Sequence, residues 1–114
     1  MDTEPGGLAE AADLFKVLGN VSRLGGLLRL IEQQPRTVGA LTEASGLSQP
    51  LVSQHLRTLR QSGLVTSSRN GKEIRYALTD VHVSHVIADA ITHVQETLAD
   101  SAEKESTTIN KETA

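Results

Sequence analysis

Apolar residues recur at helical spacing through most of the chain. Leu8, Ala11, Ala12, Phe15 and Leu18 share one face and stop at Gly19-Asn20, which predicts a first helix. A second is predicted from about Val21 to Gln33 through Leu24, Leu27, Leu28 and Ile31. Gly25 and Gly26 lie inside it, each about 1 kcal/mol less favourable than alanine, and close helix packing is the expected reason. Thr37 reads as the cap of a third helix that contains Ala40, Leu41 and Ala44 and stops at Gly46. Ser48 caps a fourth, with Pro50 in the first turn, where its missing N–H does no harm. Val52, Leu56 and Leu59 form the inward stripe of that helix, and Gly63 ends it.

The period then changes. LVTSSR and KEIRYAL are strand-like runs on either side of Asn70-Gly71, a dipeptide that predicts a tight type I′ hairpin. From Val81 to about Leu98 the helical period returns, with Val83, Val86, Ile87, Ala90, Ile91 and Val94 apolar. That is more apolar surface than one small domain needs to cover, and a two-fold dimer would bury it. Residues 1–7, with Pro5-Gly6-Gly7, and the polar, aperiodic residues 99–114 are expected to be disordered. Residues 8–98 are expected to form a single domain.

Two helices joined through Ala44-Ser45-Gly46-Leu47-Ser48 match a helix-turn-helix, although two ordinary packed helices would read the same. The hairpin that follows changes the balance, because a basic β-hairpin after a helix-turn-helix is a wing. The expected fold is mainly α with a β-hairpin: a winged helix-turn-helix, homodimeric through its N- and C-terminal helices. Charge supports this. The net charge is -3, yet residues 48–76 carry Arg57, Arg60, Arg69, Lys72 and Arg75 against Glu73 alone. Opposite the inward stripe of the fourth helix lie Gln49, Ser53, Gln54, Arg57 and Arg60, side chains able to hydrogen-bond bases and phosphates. His55, on the same helix, is either a further polar contact or a buried partner. Arg69, Lys72 and Arg75 sit at or beside the hairpin tip, where they suit minor-groove or backbone contact. The expected partner is double-stranded DNA, palindromic if the protein is a two-fold dimer.

Composition removes several alternatives. With no cysteine there are no disulfides, thiolate metal sites or cysteine nucleophiles. Phe15 and Tyr76 are the only aromatic residues besides the histidines, so aliphatic side chains must build the core. No apolar run approaches the roughly 18 residues of a membrane span, and MDTEPGGLAE is acidic rather than signal-like. No membrane association and a cytoplasmic location are expected. His82-x-x-His85 lacks the glutamate of HExxH, and neither a glycine-rich phosphate loop nor a nucleophile arrangement is present, so no enzyme is expected.

Three of the four histidines fall in DVHVSHVIADAITHVQE, from Asp80 to Glu96. His82 and His93 are eleven residues apart, about 20° past three full turns, and so share a face. The rise between them, roughly 16 Å, is too great for one ion to bridge. A two-fold axis near residues 87–88 removes the difficulty by bringing His82 of one chain beside His93 of another. Asp80 and Glu96 then join, giving two sites per dimer. Two imidazoles and two carboxylates suit Zn²⁺, with Co²⁺ or Ni²⁺ possible if coordination expands. His85, one turn beyond His82, reads as a solvated side chain or as a further ligand.

From about Leu14 to Glu96 the chain resembles the ArsR/SmtB family of bacterial metal-sensing repressors. The resemblance is carried by LFKVLGNVSRL, SQPLVSQHLRTLRQSGLV, RNGKEIRYAL and DVHVSHVIADAITHVQE. The last is similar to the family's zinc site on its C-terminal helix, with Asp80, His82, His93 and Glu96 at the matching positions. The family's other common site uses cysteines, which this chain lacks, and Gly25-Gly26 stands where bulky residues are usual. What the resemblance implies is derepression: the apo dimer holds an operator, metal binds, and the dimer lets go, with metal-efflux genes the implied targets. A winged-helix repressor that answers to Ni/Co or to a non-metal signal is the alternative.

Overall fold

The computed structural model describes residues 5–113, with side chains described over residues 5–104. Two compact units divide the chain, residues 1–84 and 85–114. In chain order the elements are α1 (Leu8–Leu18), α2 (Val21–Glu32), β1 (Arg36–Thr37), α3 (Val38–Ser45), α4 (Gln49–Gln61), β2 (Val65–Asn70), β3 (Glu73–Leu78) and α5 (Val81–Thr113). This is the winged helix-turn-helix arrangement expected from the sequence.

Capping fixes the helix starts. Asn20 Oδ1 accepts from Arg23 N at 3.0 Å, Thr37 Oγ1 from Ala40 N at 3.1 Å and Ser48 Oγ from Leu51 N at 3.4 Å. Gly46, at φ 71°, ends α3 in the left-handed conformation that a side chain would resist. At the end of α4 the Leu64 N–H donates to Leu59 O across Gly63, and both leucines are buried beside this turn. The core of the first unit is aliphatic: Leu27, Leu30, Leu41, Val52, Leu56, Leu59, Leu64, Val65 and Leu78 are all buried.

Four features differ from expectation. The sheet has three antiparallel strands in the order β1-β3-β2, and β1 is only two residues long, pairing Arg36 with Tyr76 and Thr37 with Arg75. Gln34 Oε1, accepting from Leu78 N at 2.7 Å, adds a further tie from the β1 approach to β3. The wing turn is not type I′. Asn70 pairs with Glu73, leaving Gly71-Lys72 as the two-residue loop, and only Gly71 (φ 68°) has positive φ. A glycine alone at the first central position is the type II′ pattern, so the pairing simply extends one residue further along β2.

Gly25 and Gly26 are not sites of close packing, because a Cβ built on either meets nothing within 4 Å. Lastly, α5 continues past Leu98 to Thr113, over residues expected to form a disordered tail. No Gly or Pro follows Gly71 in the chain, so nothing in the backbone stops the helix where its apolar period ends. The expected disorder of residues 1–7 falls for residues 1–4 outside the described residues, while residues 5–7 precede α1 without helix.

Candidate nucleic-acid interface and metal-ligand face

Burial of Val52, Leu56 and Leu59 fixes the rotation of α4, and with it what the helix offers to solvent. Gln49, Ser53, Gln54, Arg57 and Arg60 are all exposed. Pro50 in the first turn and the Ser48 cap leave this end of the helix regular and accessible, as a helix entering a major groove requires. Beyond α4 the wing carries Arg69 and Lys72 exposed near its tip. Arg75 is less available, since its Nη2 donates to Glu73 Oε2 at 3.2 Å.

Helix and wing are joined. Arg60 Nη1 donates to Ser67 Oγ on β2 at 3.3 Å. Between the two elements lies a cleft of about 440 Å³ lined by Ser53, Leu56, Arg57, Arg60, Gln61 and Tyr76. Tyr76 did not stand out in the sequence, where a lone tyrosine on a short strand reads as packing. Its position opposite Ser67 in the β2–β3 register brings it under α4, a relation between residues far apart in the chain that periodicity does not reveal.

His55 is the site residue whose expected DNA contact the structure does not support. Its Nε2 is buried and has no hydrogen-bond partner. The ring borders a small pocket of about 20 Å³, whose wall also includes Arg23, Gly26, Ser45 and Leu59. Burial, and secondarily the nearby Arg23 guanidinium, hold its pKa below the usual imidazole value. At 100° per residue His55 lies only about 40° from Leu59, on the flank of the buried stripe. That angle was a signal available in the sequence.

At the start of α5 and along it the expected metal ligands are all at the surface: Asp80, His82, His85, His93 and Glu96 are exposed. Asp80 also caps the helix, its Oδ1 accepting from Val83 N at 3.2 Å. Asp80 and His82 fall in the first unit, His85, His93 and Glu96 in the second. Among the described residues no three His, Asp or Glu side chains converge within the single chain to hold a metal ion. The donor chemistry fits a borderline divalent cation, with imidazole nitrogen and carboxylate oxygen and no thiolate. Apolar side chains are exposed on both terminal helices: Leu8 and Phe15 on α1, and Val86, Val94 and Leu98 on α5, of which Phe15 and Leu98 are more than 60% exposed. Among the described residues no helix is long and apolar enough to cross a membrane.

The family model described as bacterial regulatory protein, arsR family, matches residues 26–67, from α2 to the start of β2. The HTH-type transcriptional repressor SmtB of Mycobacterium tuberculosis is 42% identical over 89 residues, which are 78% of this chain and 65% of that protein. The chain thus spans a little under two thirds of that curated relative. The HTH-type transcriptional regulator NmtR of the same organism is 40% identical over 85 residues, 75% of this chain and 70% of that one. Among solved structures, the homodimeric winged helix-turn-helix DNA-binding domain Mb0332 of Mycobacterium bovis, a possible ArsR-family transcriptional regulator, superposes with TM-score 0.75 at 28% identity. That match covers 86% of this chain and 94% of the other. These named relatives are regulators of transcription, in agreement with the expectation that the chain is not an enzyme.

Proposed function

The chain belongs to the ArsR family of bacterial regulatory proteins, and from that premise we propose that it is a metal-responsive transcriptional repressor whose dimer leaves DNA when Zn²⁺ is bound. Gln49, Ser53, Gln54, Arg57 and Arg60 on α4 enter the major groove, while Arg69, Lys72 and Arg75 of the wing reach the backbone or the adjacent minor groove. Two copies, docked through the exposed apolar residues of α1 and α5, present two such surfaces to a palindromic operator. The genes expected under that operator encode metal export.

Asp80 and His82 of one protomer, with His93 and Glu96 of its partner, would hold the ion, which supplies a link between subunits. His85, one turn from His82, would widen the donor set, and would matter most for Ni²⁺ or Co²⁺. The observation that carries this reading is the exposure of four N/O donors, Asp80 at the cap of α5 and His82, His93 and Glu96 along it, no three of which gather among the described residues of one chain. Ligands divided between subunits converge in only some dimer arrangements. If DNA favours another arrangement, binding of either partner weakens the other by the same factor.

Mixed dimers test the shared site. Each homodimer of His82→Ala or His93→Ala is expected to lose both sites. A mixed dimer of the two variants keeps one site intact, because the wild-type His93 of the first chain meets the wild-type His82 of the second. One zinc per mixed dimer and none per variant homodimer is the expected result. No zinc in the mixed dimer would mean that each site lies within one chain or elsewhere.

A further inference from the structure

The cleft between α4 and the wing has a mixed lining, apolar and polar in similar measure, and its polar side chains are mostly donors. Ser53, Arg57, Arg60, Gln61 and Tyr76 each bring a hydrogen-bond donor, Leu56 also lines the space, and no carboxylate is among the lining residues. Such a wall selects an anion with several acceptor oxygens. Two guanidinium groups favour a phosphate in particular, since their planar forks match its oxygen geometry. The Arg60 group is already steadied by Ser67, itself opposite Tyr76 in the sheet, so less side-chain freedom is lost on binding.

From this we infer that the cleft is a phosphate seat, and that in the DNA complex it takes one backbone phosphodiester, with Arg57, Arg60 and the Tyr76 hydroxyl as donors. The inference rests on the DNA-binding reading above and changes the division of labour within it. Arg57 and Arg60, from the later turns of α4, set the register of the protein on the backbone. Base readout falls to Gln49, Ser53 and Gln54 near the helix start, as the geometry of a recognition helix favours. Tyr76 becomes a positioning residue for the complex.

DNA affinity over a range of salt concentrations tests this, with full-length protein and two duplexes: one that the protein selects from a random pool, and one of scrambled sequence. Tyr76→Phe should weaken both duplexes by the same factor, about three- to tenfold for one lost hydrogen bond. Arg57→Gln and Arg60→Gln should each reduce the slope of log K against log salt by about 0.9, the share of one phosphate contact. In a separate arm, inorganic phosphate added without DNA should shift the NMR signals of the Tyr76 ring and the Arg60 guanidinium, and Arg57→Gln should abolish the shift of the ring.

If the wild type binds DNA but the three variants keep its affinity and slope, the proposal is overturned. It is equally overturned if Tyr76→Phe weakens only the selected duplex, since that is the mark of a base contact. If the wild type binds neither duplex, the DNA-binding reading fails, and the phosphate arm decides the cleft alone: shifts would support a seat for a free phosphoanion, and their absence would remove it.

Discussion

The orphan Nε2 of His55 ties the fold to pH. Its pKa is lowered from the ordinary value of 6.5, chiefly by burial. Between that depressed value and 6.5 the unfolded chain binds a proton at this position and the folded chain does not. Stability from this residue is therefore undiminished above pH 6.5 and declines as pH falls below it, until the folded imidazole itself protonates. Thermal melts at pH 7.5 and 5.5 should show a lower midpoint in acid, and His55→Gln should reduce the difference. An unchanged difference in the variant would mean that the acid sensitivity arises elsewhere. The neighbouring Gly26 and its companion Gly25 give a second prediction. Because a Cβ at Gly25 meets nothing within 4 Å, Gly25→Ala should stabilise α2 by about 1 kcal/mol in a denaturant titration. A loss of stability instead would show that another surface covers this part of α2. The burial of His55 was legible in its angle to the inward stripe, but the space around Gly25 was not: helical spacing says that a glycine is unusual, but not what lies beside it.

At the scale of elements the sequence was most informative where one local signal governs. The caps at Thr37 and Ser48, the stop at Gly46 and the inward stripe of α4 all stand where periodicity and capping chemistry put them. The wing was legible as a hairpin, but not its exact turn, because Asn70-Gly71 and Gly71-Lys72 are both acceptable two-residue loops and pairing along the strands decides between them. Strand β1 left no signal, since two residues have no period and their pairing partner lies some forty positions away. The turn has a measurable consequence. With Gly71 at φ 68°, Gly71→Ala forces a side chain into left-handed backbone and should destabilise the protein by about 1 kcal/mol, while weakening DNA binding as the wing tip loses its geometry. Equal stability and affinity in the variant would show that the wing tolerates another turn.

For the whole molecule, one chain supplies surfaces that it does not complete. Among the described residues no three of the exposed donors converge, and apolar side chains on α1 and α5 are exposed. In the proposed function a second copy answers both conditions. The proposal of a shared site starts from the eleven-residue interval between His82 and His93, which is too long for one ion to bridge within a chain. What the sequence could not supply was the relation between α4 and the wing, because the cleft at Tyr76 depends on strand register. The central claim is that metal and DNA oppose one another through this dimer. The most direct measurement titrates the purified, metal-free protein with Zn²⁺ in the presence of a fluorescent duplex selected from a random pool, following bound metal and anisotropy in the same sample. One zinc per chain with the anisotropy falling in step, and both responses lost in His93→Ala, is the predicted result. Full occupancy by zinc with the duplex still held at its metal-free affinity would contradict the account.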